Sequence, residues 1–114
     1  MADANSDLLV VCLCAAWCDT CGEFRDTFER LHKHFDGKFV WLDIEDDAAL
    51  VGDVDVENFP TLAVFRSGTP VFFGVTLPQE GVVARTLSGI SGKPISVPTQ
   101  IAALPGAIAA RVRS

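Results

Sequence analysis

Basic residues are scarce in this chain: nine Lys and Arg stand against fifteen Asp and Glu, a formal net charge of -6. That balance excludes the cationic footprint that nucleic acid or an anionic membrane surface requires. The first seven residues contain two acids and no basic side chain, so no secretory signal is read and a cytoplasmic protein is expected. No apolar run approaches the ~20 residues needed to span a bilayer. Internal repeats are absent. Cysteine is absent after position 21, and all four cysteines (Cys12, Cys14, Cys18 and Cys21) crowd into ten residues. A disulfide scaffold would spread them to close long loops, so the crowding favours redox or metal chemistry.

What is present fits one globular domain. The 114 residues are 49% apolar and 21% charged, enough to bury a core without crosslinks. Asp7 to Ala16 is a continuous apolar run of strand length, suited to a strand buried on both faces. A helix is expected from about Thr20 to Phe35, with Phe24, Phe28, Leu31 and Phe35 on one stripe. Its other side offers Arg25 with Glu29, Asp26 with Arg30, and Glu29 with Lys33 as pairs four apart. Gly37 is a natural stop. Lys38 to Ile44 reads as a second strand, and the acidic cluster Glu45-Asp46-Asp47 leads into a short helix from Ala48 to about Val54. Thr61 to Arg66 reads as a third strand, Ser67-Gly68 as a hairpin turn and Val71 to Val75 as a fourth. Pro78 opens a helix to about Ile90, with Val82, Val83, Leu87 and Ile90 as its apolar positions.

The order β-α-β-α-β-β-α predicts an α/β fold, a four-stranded mixed sheet with helices on both faces. Residues 1–90 form the domain. Residues 91–114 form a C-terminal extension, a loop plus a weak helix with Ile101, Leu104, Ile108 and Val112 on one stripe. Pro105-Gly106 interrupts that stripe, which leaves three readings open: a docked helix, a partner contact or a frayed tail.

Trp17-Cys18-Asp19-Thr20-Cys21 sits where the first strand hands over to the first helix. Two thiols in Cys-x-x-Cys can close a small disulfide, and a helix N-terminus favours a thiolate on the first. Cys18 is therefore expected as nucleophile and Cys21 as resolving thiol. Asp19, beside Cys18, opposes a second negative charge. Ala15 to Cys21 resembles the active-site segment of the thioredoxin family, and Phe59-Pro60-Thr61, followed by a strand and Arg66-Ser67-Gly68, is similar to its cis-proline loop and hairpin. The likeness covers about Leu8 to Ile90. It implies a thiol–disulfide oxidoreductase of thioredoxin fold, trimmed of the family's first strand and helix. It also implies that Pro60 is cis and that Phe59 and Thr61 flank a substrate groove. Among the aromatics, Trp17 is read as a shield and docking surface beside the thiols. Protein disulfides are the implied substrates, with a cellular reductant restoring the dithiol. No metal or bound organic cofactor is required, and a monomer is expected.

Several positions depart from the family pattern. Asp19-Thr20 replaces the usual Gly-Pro, Cys12 takes the place of a buried acid, and Trp41 stands where lysine is common. The rival functional reading is a non-catalytic binding or redox-sensing module that uses the Phe59-Pro60-Thr61 groove. Zinc would need four ligands, of which Cys18 and Cys21 supply two, while His32 and His34 diverge on a helix. Cys12 and Cys14 read most simply as small buried core residues, with an auxiliary redox role as the lesser alternative.

Overall fold

The computed structural model describes residues 8–15, 19–35, 37–44, 60–77, 79–90 and 93–113, with backbone alone for 110–113. Strand β1 (Leu8–Cys14) is buried almost throughout because it is internal to the sheet, whose order is β2-β1-β3-β4. It runs parallel to β2 (Lys38–Asp43) and antiparallel to β3 (Thr61–Arg66), which pairs antiparallel with β4 (Thr69–Val75). A strand covered on both faces has no use for alternation, which is why β1 is a continuous apolar run. The expected short helix after Glu45-Asp46-Asp47 lies outside the described residues.

Alternate side chains of β1 enter two cores. Val10, Cys12 and Cys14 join Phe24, Phe28 and Leu31 of α1 (Asp19–His34) and Val83 and Leu87 of α2 (Glu80–Ser88). The α1 stripe is the predicted Phe24, Phe28 and Leu31, extended one turn back by buried Cys21, while Phe35 falls just past the helix end and is half-buried against the same core. Phe28 meets Phe39 at 5.3 Å and Trp41 at 5.7 Å between ring centroids. The expected ion pairs along α1 give way to contacts with other elements. Arg30 Nε donates to Glu80 at 2.8 Å, linking α1 to α2, and Arg25 lies 5.2 Å above the Trp41 ring. The Arg30–Glu80 pair is half-exposed, so it contributes less than about 1 kcal/mol.

The second core settles the reading of the tail. Val11, Leu13, Leu42, Ala63 and Phe65 are buried against Ile101, Leu104 and Ile108, which come from α3 (Thr99–Ala102) and α4 (Leu104–Arg113). The tail is a docked element. Pro105 does not break the stripe, because it falls in the first turn of α4, where a missing N–H costs no helical bond. The Ile95 N–H donates to the Pro70 carbonyl at 3.0 Å, tying the segment before α3 to β4. Pro70 itself is tolerated beside the register shift between Val64 and Phe65.

The β3–β4 turn has positive φ at both central residues, 53° at Ser67 and 81° at Gly68. This matches the strand twist and requires residues that accept the left-handed region. Replacing Gly68 with alanine meets no atoms within 4 Å, so its cost is conformational. We expect Gly68→Ala to lower unfolding stability by roughly 1–2 kcal/mol, read from urea midpoints.

Candidate redox site

The end of β1, the start of α1 and the start of β3 converge. Leu13 is opposite Thr61 in the antiparallel register, and Cys14 and Pro60 are the neighbouring residues in sequence. The Cys14 carbonyl is held by the Ile44 N–H at 2.8 Å, and the Pro60 carbonyl by the Thr76 N–H at 3.0 Å. Pro60 and Thr61 are both buried. Asp19 is exposed as the first residue of α1, Thr20 is half-buried, and Cys21 occupies the first turn. Cys18, Trp17 and Phe59 lie outside the described residues.

The structure departs from the sequence expectation at Cys21. Its disulfide partner is Cys14, not Cys18, with 5.8 Å between the Cα atoms. That spacing is inside the roughly 4.4–6.8 Å that a disulfide spans. Cys14 therefore does more than fill core space. The signal was available in part: β1 alternation puts Cys14 on the face that meets α1, and Cys21 belongs to the stripe of α1 that returns to that face.

Cys12 is the free cysteine among the described residues. Its Sγ is 3.7 Å from Cys14 Sγ. Burial without a charged partner pushes its thiol well above the ordinary range, so it is neutral at physiological pH. Unfolding frees this group to ionise above about pH 8.5, which favours the unfolded chain as pH rises. The native protein should lose stability above that pH with a contribution of ~1.4 kcal/mol per pH unit from Cys12. Denaturation of native and Cys12→Ala protein between pH 8 and 10.5 isolates this slope, which the variant should lack.

Beside Pro60, the structure exposes two side chains that the sequence reading missed. Val75 and Leu77 flank Thr76 and are 55% and 60% exposed, large for apolar residues. Among the described residues, no cluster of three or more His, Cys, Asp or Glu side chains is placed to hold a metal ion. His32 stacks on Phe39 at 5.1 Å. No helix among the described residues is long and apolar enough to cross a membrane.

A mixed sheet of this order, with a cysteine in the first turn of the helix after its internal strand, defines a thioredoxin-fold protein. The thioredoxin family model matches residues 1–84, and the chain belongs to that family. It is 32% identical over 69 residues to thioredoxin of Staphylococcus haemolyticus, covering 59% of this chain and 66% of that protein. It is 35% identical over 68 residues to thioredoxin domain-containing protein 2 of Rattus norvegicus, covering 59% of this chain and 12% of that one. The chain thus matches just under two thirds of the length of the staphylococcal protein. Among solved structures it is similar to a single-site mutant of thioredoxin from Halobacterium salinarum, with a TM-score of 0.63 and 25% identity, over 83% of this chain and 81% of that one.

Proposed function

We propose that the chain is a thiol–disulfide oxidoreductase acting on protein disulfides, with Cys18 as attacking thiolate and Cys21 as resolving thiol. The observation that carries this reading is Cys21 itself. In a member of the thioredoxin family it is held in the first turn of α1 and engaged in a disulfide. The positive end of α1 favours a thiolate at the residue that precedes it.

Cys18 Sγ attacks one sulfur of a substrate disulfide, and the other substrate sulfur leaves as a thiolate. In the reduced chain, with the Cys14–Cys21 bond opened by a thiol reductant, Cys21 gives up its proton and attacks Cys18 Sγ, which releases the second substrate sulfur and closes a Cys18–Cys21 bond. Two electrons have then passed to the substrate, and a cellular thiol reductant restores the dithiol. The family resemblance assigns the substrate groove to Phe59, Pro60 and Thr61 and the shielding of the reacting sulfurs to Trp17. The exposed Val75 and Leu77 flank Thr76, whose N–H donates to the Pro60 carbonyl, and offer apolar surface to a substrate chain. The protein works as a monomer in the reducing cytoplasm.

Dithiothreitol-driven reduction of insulin tests the proposal. The native chain should precipitate insulin chains faster than dithiothreitol alone, and equal rates would leave docking without turnover as the function of the groove.

A further inference from the structure

We propose that Cys14 is a second disulfide partner for Cys21, competing with Cys18, so that oxidation converts the dithiol into a form with one free attacking thiol. The inference rests on the exchange reading above and adds a residue to it. Cys14 ends β1 and Cys21 lies in the first turn of α1, seven positions on, and the two are bonded. Cys18 belongs to the segment that this bond encloses. Cys21 therefore has two cysteines available to it: one three residues away in sequence, the other across the strand-to-helix handover.

The interconversion conserves atoms and electrons. Starting from the Cys18–Cys21 disulfide left by turnover, Cys14 loses its thiol proton and its sulfur attacks Cys21 Sγ. The Cys14–Cys21 bond forms, the Cys18–Cys21 bond breaks, and Cys18 leaves as a thiolate that takes up the proton. The chain stays oxidised by two electrons throughout, and no outside oxidant or reductant enters. Cys12 lies 3.7 Å from Cys14 Sγ but is free, whereas Cys14 is the cysteine bonded to Cys21.

The two oxidised forms differ in what they can do next. Cys14 and Cys21 are 1% and 2% exposed, so an external thiol has almost no path to their bond. Cys18, meanwhile, is again a thiol. It can attack a further substrate disulfide, but Cys21 is occupied and cannot release the product. The oxidised chain then holds its substrate as a mixed disulfide until the substrate's own freed thiolate attacks that bond and returns Cys18 as a thiolate.

The test is a disulfide map of the native chain equilibrated with glutathione disulfide at neutral pH, quenched in acid and digested without reduction. The inference expects the Cys14–Cys21 peptide pair at about a tenth or more of the intramolecular disulfide. A share below about a tenth, with the remainder in Cys18–Cys21, overturns it. Cys18→Ser protein is also refolded from the reduced, unfolded chain in the same glutathione buffer, where all thiols are accessible before folding. Two of the three remaining thiols should disappear into a Cys14–Cys21 pair, whereas survival of all three contradicts the inference. Insulin reduction by the native chain is scored separately: its failure sinks the exchange reading, and the disulfide map alone decides the role of Cys14.

Discussion

Removal of residues 99–114 is expected to abolish cooperative unfolding. The face of the sheet made by Val11, Leu13, Leu42, Ala63 and Phe65 is buried against Ile101, Leu104 and Ile108. Full burial of three such aliphatic side chains is worth roughly 5–9 kcal/mol in total. A domain of this size has only about 5–15 kcal/mol of net stability, so losing both helices takes most of it. A finer form of the same prediction is Leu104→Ala. Leu104 is fully buried, and its truncation should cost about 2–5 kcal/mol, read from urea midpoints at unchanged slope. A shortened chain that still unfolds cooperatively within about 1 kcal/mol of the native midpoint would mean that the tail merely covers an independent core.

The second large effect is on turnover. Cys18→Ser removes the only group proposed to attack substrate, because a serine hydroxyl does not ionise where a thiol does. Catalysed insulin reduction should fall at least about a hundredfold, to the rate of dithiothreitol alone. Cys12→Ala should keep its turnover, since the Cys12 thiol is buried and neutral. If both variants lost activity equally, Cys12 would be acting in the chemistry and the assignment of roles would be wrong.

Features governed by local periodicity were legible in the sequence. The apolar run of β1, the Phe24–Phe28–Leu31 stripe of α1 and the Ser67-Gly68 turn each follow from residues a few positions apart, and each is found. β4 starts two residues earlier than expected, because a two-residue turn brings Thr69 and Pro70 into register with Arg66 and Phe65. The tail was ambiguous because Pro105-Gly106 signals a break within a helix but is harmless in a first turn, and only the helix start decides which applies. Arg30 pairs with Glu80, fifty residues away, and not with Asp26, because the packing of α1 on α2 brings them together.

At the site, the local motif made Cys18 the natural partner of Cys21. Pairing with Cys14 depends on how the chain turns from strand into helix, a through-space relation that spacing does not encode. The exposure of Val75 and Leu77 likewise comes from where β4 ends against Pro60. Neither residue carries a motif of its own.

The central claim, exchange through an attacking Cys18, is tested most directly with Cys21→Ser protein. With the resolving thiol gone, attack on a disulfide-bonded peptide should stall as a mixed disulfide, which peptide mapping can locate. The account predicts a stable adduct on Cys18 that dithiothreitol releases. An adduct on Cys14 or Cys12, or no adduct with folded protein, would contradict it.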